Sequence, residues 1–173
     1  YGFSTPLTTP GMNYWRTADL WVKLMQDVLG YKKFATQGGD FGALLSAQLG
    51  HKYADRLIGL HIHLMLPLDF HTAALPEASE YGPDEQGWFE RTQHFFAAEA
   101  GYFQLQSTKP QTLAFGLNDS PVGLAAWLIE KRRTWGDCKG NIESRFSKDD
   151  LLNTIMLYWI TQSFGTSARY YYE

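Results

Sequence analysis

The chain has 173 residues, of which 45% are hydrophobic and 19% are charged, and its formal net charge is −3. This composition is typical of a globular domain or of part of one, and the mild acidity gives no reason to expect nucleic acid or an anionic membrane as a partner. The single cysteine, Cys138, excludes an intrachain disulfide and a cysteine cluster for zinc, and no apolar run approaches the roughly 20 residues of a membrane helix.

The two ends of the sequence do not have the features of natural chain ends. There is no initiating Met and no signal peptide before Tyr1, and no helix-stop signal precedes Glu173. We therefore expect that both ends are cut from a longer chain, and a cytoplasmic location is the favoured interpretation.

The first third of the chain alternates between helical and strand patterns. Asn13 is a suitable N-cap for a helix that runs to about Leu29, with apolar residues at three- and four-residue intervals and Gly30 just past its end. The patterns that follow predict a strand over residues 34–37, a tight turn over 38–42, a helix over 43–49 and a buried strand over 57–65. This order predicts a parallel sheet that is covered by helices.

The pattern changes after Pro67, where strand alternation ends. A helix is predicted over Pro121–Trp135, and a second one follows Ser147, where Ser-Lys-Asp-Asp resembles a capping box with Asp in place of Glu. Residues 68–173 therefore read as a mainly helical insertion, and residues 1–67 as part of an α/β core. Because two strands are too few for a stable open sheet, we expect the remaining strands outside these 173 residues.

Residues 38–42, Gly-Gly-Asp-Phe-Gly, have the form G-x-nucleophile-x-G that marks the strand-to-helix turn of α/β-hydrolases. Asp40 stands where serine is commonest. Such a turn strains the backbone of the nucleophile, and we expect that side chains in place of Gly38 and Gly42 would collide with neighbouring elements. The same turn directs the backbone N–H of Phe41 toward developing negative charge, as an oxyanion donor.

An aspartate at this position indicates the class of substrate. Attack by a carboxylate on a carbonyl carbon gives an unstable anhydride, whereas attack on an sp³ carbon gives an ester that water can open. Asp40 therefore favours epoxides or alkyl halides over amides and esters. The plainer alternative is a turn whose aspartate only caps the following helix.

Several longer blocks of sequence occur together with this turn: YGFS at 1–4, QGGDFG at 37–42, AGYFQLQSTKPQT at 100–112, LNDSPVGLAAWLIEK at 117–131, FSKDDLLNTIMLYW at 146–159 and TSARYYYE at 166–173. In type and order they resemble the epoxide hydrolases of the α/β-hydrolase superfamily, particularly the microsomal branch that includes the insect juvenile hormone enzymes. The blocks cover essentially the whole chain, and only about residues 66–98 match loosely. The resemblance implies an α/β-hydrolase fold, a parallel sheet flanked by helices, with a helical cap inserted after the second strand.

The resemblance also implies a role for each matched residue. Asp40 matches the nucleophile that opens an epoxide as an alkyl-enzyme ester, which water hydrolyses to a vicinal diol without metal or organic cofactor. Tyr102 and Tyr171 match two cap tyrosines that protonate the epoxide oxygen, a task that suits a phenol because it stays protonated at neutral pH. The register from Arg169 and Glu173 selects Tyr171 among three consecutive tyrosines, and a slip of one residue stays open.

The sequence departs from the family pattern at several points. Phe41 replaces a usual Trp, which keeps the backbone N–H but can change the shape of the pocket. His63 replaces an Asn near the site and could touch the pocket, but we favour its interpretation as a satisfied polar residue at a strand end. By the resemblance, an HGxP segment with the other oxyanion donor would precede Tyr1, and the acid and histidine that activate water would follow Glu173. We therefore expect that residues 1–173 alone do not turn over.

Two other interpretations stay open. A haloalkane-type dehalogenase also uses an aspartate at this turn, but it would need halide-binding indole or amide donors in place of the tyrosine pair. A non-catalytic relative would have lost the nucleophile or the proton donors, and all three are present here. The expected partner is a small lipophilic epoxide, in keeping with a role in detoxification, and a homodimer is left open.

Overall fold

The structure is a computed structural model that describes residue 3, residues 9–64 and residues 74–173. The described residues form two compact units, Thr9–Phe89 and Glu90–Glu173. The division falls within a helix, whereas the sequence pattern changes after residue 67. Because residues 65–73 lie outside the described part, the assignment of 1–67 to a core and 68–173 to a cap stays a prediction.

The first unit contains the predicted order of helix, strand, helix and strand. Its elements are α1 (Tyr14–Lys23), which continues as a π-helical turn over Leu24–Val28, then β1 (Phe34–Gly38), α2 (Phe41–Lys52) and β2 (Leu57–Ile62). The Asn13 side chain accepts a hydrogen bond from the Arg16 N–H at 3.2 Å, and Gly30 has a φ of +75° just past the π-helical turn. The predicted start and end of the first helix are therefore confirmed.

The two strands pair in parallel, with Gly38 opposite Ile62 at their carboxyl ends. The second strand begins as predicted, although Met65, the predicted end, lies outside the described residues. The expected burial of this strand is wrong among the described residues, because Ile58 is 72% exposed and Leu60 is 47% exposed. An apolar strand is buried only where a layer covers each face of the sheet, and the described part of this unit leaves both side chains largely exposed.

Two contacts hold the helices of the first unit against its sheet. A small core joins α1, β1 and α2 through Ala18, Phe34 and Leu49. At its edge, Lys52 and the Tyr53 hydroxyl both donate to Asp19 Oδ1 at 2.7 Å. These hydrogen bonds, first that of Lys52, hold the pKa of Asp19 below its usual value.

The second unit is helical. Its elements are α3 (Gln86–Ala98, which begins before the division), α4 (Gly101–Thr108), α5 (Pro110–Asp119), α6 (Pro121–Trp135), α7 (Lys148–Thr161) and α8 (Phe164–Tyr172). Their buried side chains form a core with Ala114, Leu117, Leu124, Ile155, Phe164 and Ala168. No helix in the described ranges is long and apolar enough to span a membrane.

Capping residues set the starts of the two helices that the sequence predicted in this unit. Ser120 Oγ accepts the Gly123 N–H at 3.0 Å, and α6 has the predicted bounds. Ser147 Oγ accepts the Asp150 N–H at 3.1 Å at the start of α7. The Asp150 carboxylate accepts the Ser147 hydroxyl at 2.7 Å, because Asp is one methylene shorter than the Glu that completes a capping box.

Candidate active site

The backbone of Asp40 is strained at the turn between β1 and α2. Its φ is 52° and its ψ is −131°, one of three positive φ values among the described non-glycine residues. A non-glycine residue in such a conformation costs on the order of 1–3 kcal/mol and persists only where the surrounding structure enforces it. The motif predicted this strain, which leaves the Asp40 side chain exposed beyond the end of β1.

The two glycines of the motif differ in their surroundings. A Cβ built on Gly38 would lie 2.1 Å from the Gly42 carbonyl oxygen and 2.3 Å from its carbon, so any side chain there would collide with backbone. A Cβ on Gly42 meets no described atom within 4 Å. The expectation of a collision is therefore confirmed for Gly38 and wrong for Gly42, because the Gly42 backbone fills the space beside Gly38, whereas no described atom fills the space beside Gly42.

The Asp40 carboxylate lies at the amino end of α2. Its Oδ1 accepts the Phe41 N–H at 2.6 Å, and Asp40 is the N-cap of the helix. The strained turn and the helix cap are therefore features of the same residue. The partial positive charge of a helix N-terminus stabilises an anion at this position.

His63 lies beside this turn, just after β2. Its N–H donates to the Gly38 carbonyl at 3.0 Å, and the Gln37 side-chain amide hydrogen-bonds its Nε2. The His63 Cβ is 3.6 Å from a Cβ built on Gly39, and the His61 ring is 4.7 Å away. His63 is thus hydrogen-bonded, as its interpretation as a satisfied polar residue expected, and it also contacts the turn over residues 38–42.

The second unit brings Tyr102 of α4 and Tyr171 of α8 together. Their ring centroids are 6.1 Å apart in an edge-to-face arrangement. The Phe103 ring also contacts Tyr171, at 5.9 Å. The neighbouring Tyr172 is 63% exposed. This arrangement supports the register that selects Tyr171, and the roles of both tyrosines stay predictions.

Both tyrosines line a cavity of about 430 Å³ in this unit. On the wall of this cavity, the Trp127 indole N–H donates to Oε1 of the buried Gln106 at 3.3 Å, and this hydrogen bond fixes the indole ring. The aromatic side chains that line the cavity are Tyr102, Trp127, Trp135, Phe146, Tyr158, Phe164 and Tyr171. Half of the lining residues are aromatic, which suits an apolar ligand, and the wall also carries polar and charged side chains.

Lys131 also lines this cavity and was not singled out by the sequence analysis. Its Nζ is 5.7 Å from the centroid of the Tyr102 ring and 5.6 Å from that of Trp135. Its side chain is only 17% exposed, and the carboxylate that it contacts, Glu130, lies 3.4 Å away and is 57% exposed. The sequence carried one signal for this contact, since Lys131 and Trp135 are four residues apart on one helix.

Among the described residues, no group of three or more histidine, cysteine and acidic side chains could hold a metal ion. Cys138 is buried, and its Sγ is 3.1 Å from the Arg133 carbonyl oxygen. The turn residues 38–42 belong to the first unit and the tyrosine pair to the second, so the meeting of nucleophile and proton donors stays a prediction.

No protein-family model matches the chain, but it is similar in sequence and in structure to several known proteins. It is 44% identical over 173 residues to a protein of Stigmatella aurantiaca (strain DW4/3-1) named "Putative epoxide hydrolase", covering 100% of this chain and 38% of that protein. It is 38% identical to epoxide hydrolase 1 of Oryctolagus cuniculus, covering 100% and 42% of the two chains. The crystal structure of juvenile hormone epoxide hydrolase from the silkworm Bombyx mori matches with a TM-score of 0.83 at 34% identity, covering 100% of this chain and 44% of that one.

The chain thus spans about two fifths of the length of these relatives. The matches extend over all residues of this chain, and the sequence relatives and the structural neighbour are all named epoxide hydrolases. Over its whole length the chain is therefore homologous to epoxide hydrolases of the microsomal and juvenile hormone types, and its structure is part of the α/β-hydrolase fold.

Proposed function

We propose that this protein is an epoxide hydrolase in which Asp40 is the nucleophile. The observation that carries the proposal is the strained Asp40 backbone between a parallel strand and a helix, with the carboxylate on the first N–H of that helix. The relatives are epoxide hydrolases by name, which supports the reaction class.

The first step forms an ester. Oδ2 of Asp40, the oxygen not bonded to the Phe41 N–H, attacks one epoxide carbon, and the carbon–oxygen bond breaks with its electron pair moving to the epoxide oxygen. A phenol, Tyr102 or Tyr171, transfers its proton to that oxygen. The products are a β-hydroxyalkyl ester of Asp40 and a tyrosinate, so charge is conserved.

The second step releases the diol. Water attacks Cγ of the ester, and negative charge develops on the carbonyl oxygen, which in our proposal is the former Oδ1 of Asp40. The Phe41 N–H, which lies 2.6 Å from this oxygen, would stabilise the charge in place. Collapse restores the carboxylate and releases a vicinal diol, while the tyrosinate regains a proton that water supplies.

The substrate class follows from the lining of the cavity beside the tyrosines. Its aromatic side chains favour a lipophilic epoxide, such as an aryl or alkyl oxirane, over a polar one. Apolar burial of a phenyl group is worth roughly 2 kcal/mol, so styrene oxide is a suitable probe.

The test is intact-protein mass spectrometry after brief exposure to styrene oxide, followed by peptide mapping. We expect one added epoxide mass on Asp40 in the unsubstituted 173-residue chain, here called the parent chain, and none at this site in Asp40→Asn. Asp55→Asn is the matched control, because Asp55 is an exposed carboxylate of the same unit. If the folded parent chain acquires no adduct, or if Asp40→Asn is modified equally fast, the proposal is wrong.

A further inference from the structure

The cavity of the second unit contains a cation, Lys131, that has no role in the reaction proposed above. We propose that Lys131 is a positioning residue for Tyr102: its ammonium group holds the ring of the proton donor and stabilises the phenolate formed when Tyr102 protonates the opening epoxide. The inference rests on the proposed function, because it requires Tyr102 to be a proton donor.

The geometry places the charge beside two adjacent aromatic rings. Lys131 Nζ lies 5.7 Å from the centroid of Tyr102 and 5.6 Å from that of Trp135, and the two rings are themselves 5.1 Å apart. Both distances are within the roughly 6 Å over which a cation is attracted to a ring. The attraction grows when the ring gains negative charge, so it is stronger for the phenolate than for the phenol.

The surroundings of Lys131 keep this charge effective. The side chain is 17% exposed, so water screens the ammonium only in part. Its ion pair with Glu130, at 3.4 Å, involves a carboxylate that is 57% exposed, and the other cation on the cavity wall, Arg132, lies over Phe146 instead of Tyr102. Lys131 thus lies over the Tyr102 ring with a charge that is only partly screened.

The proton balance leaves Lys131 unchanged. The Tyr102 hydroxyl proton moves to the oxygen of the opening epoxide as the carbon–oxygen bond breaks, and no proton moves to or from Lys131. At a partly exposed site, an ammonium about 6 Å from a full negative charge favours formation of that charge by roughly a hundred-fold. If half of the phenolate charge has formed in the transition state, the rate of epoxide opening rises by roughly ten-fold.

The experiment measures the rate at which two electrophiles modify Asp40 in the 173-residue chain. Styrene oxide needs a proton on its leaving oxygen, whereas phenethyl bromide releases bromide without one. The single variants are Lys131→Met, Lys131→Arg and Tyr102→Phe. The double variant combines Lys131→Met with Tyr102→Phe. Lys148→Met is the matched control, because Lys148 is 74% exposed and its ion pair, with Glu143, lies at the surface.

We expect Lys131→Met to slow modification by styrene oxide roughly ten-fold and to leave modification by phenethyl bromide unchanged. Lys131→Arg should retain most of the rate, since it keeps a cation over the ring, and Lys148→Met should match the parent chain. In the Tyr102→Phe background, Lys131→Met should have no further effect, because the charge that it stabilises is never formed.

The outcomes that overturn the inference are distinct from those that overturn the proposed function. If Lys131→Met slows both electrophiles equally, or still slows styrene oxide in the Tyr102→Phe background, Lys131 has a general structural role. If Tyr102→Phe slows styrene oxide but Lys131→Met does not, the inference alone is wrong. If Tyr102→Phe has no effect, Tyr102 is not the donor, and the proposed role of both residues falls.

Discussion

Replacement of Gly38 by alanine tests whether close backbone packing shapes the turn at Asp40. The added Cβ would lie 2.1 Å from the Gly42 carbonyl oxygen, 2.3 Å from its carbonyl carbon and 2.8 Å from its Cα. Ordinary contacts begin near 3.4 Å, so β1 and α2 must separate by more than 1 Å. Because the opposing atoms are backbone and cannot rotate away, we expect a loss of about 3 kcal/mol or more, at the upper end for overpacked sites.

The assay is urea unfolding followed by circular dichroism, with Gly42→Ala as the matched control. An added Cβ at Gly42 meets no described atom within 4 Å and lies within a helix, so we expect a free energy of unfolding that is unchanged or up to about 1 kcal/mol higher. The reasoning is refuted if Gly38→Ala unfolds at the same urea concentration as the parent chain, or if both variants lose stability equally.

Three further predictions follow from other parts of the structure. Asp40→Gly should raise the free energy of unfolding by about 1 kcal/mol, since relief of the positive-φ strain exceeds the small loss from the helix cap, and a lower urea midpoint would contradict this. Because its partners hold the pKa of Asp19 below its usual value, the stability from this carboxylate is present above about pH 3.9 and is lost as the pH falls through the lower folded-state pKa. Asp19→Asn should therefore flatten the acid limb of a stability–pH curve, and the raised pKa of Lys52 predicts a matching loss only above about pH 10.4. Leu124→Ala, at a fully buried site, should cost about 3 kcal/mol in urea unfolding, whereas Leu152→Ala, at a site 55% exposed, should cost under 1 kcal/mol; similar losses for both would contradict the core assignment.

The elements that sequence reasoning predicted best depend on contacts within a few residues. Asn13, Ser120 and Ser147 each accept a hydrogen bond from an N–H three positions along the chain, so the start of a helix is written locally. The strand-to-helix turn is equally local, because the strain at Asp40 arises between adjacent elements. Length and apolar pattern placed β1 and the start of β2 for the same reason.

Helices α3 to α5 were not predicted one by one, although residues 68–173 were expected to be mainly helical. Prolines and scattered aromatics obscured the helical period there. Pro110 in fact occupies the first position of α5, where its missing N–H has no partner to lose. The exposed Ile58 and Leu60 show the converse limit, because an apolar run states a preference for burial but not which layer supplies it.

The sequence by itself determined the local chemistry of this protein: the turn that strains Asp40, the capped helices, and the block resemblances that single out Tyr102 and Tyr171. Only the tertiary structure decided which groups meet across distant parts of the chain. The asymmetry of Gly38 and Gly42, the edge-to-face contact of Tyr102 with Tyr171 and the ammonium of Lys131 over the Tyr102 ring all depend on how helices pack. Periodicity and spacing specify the face of a helix, whereas the identity of the partner that covers this face is set by packing over the whole unit.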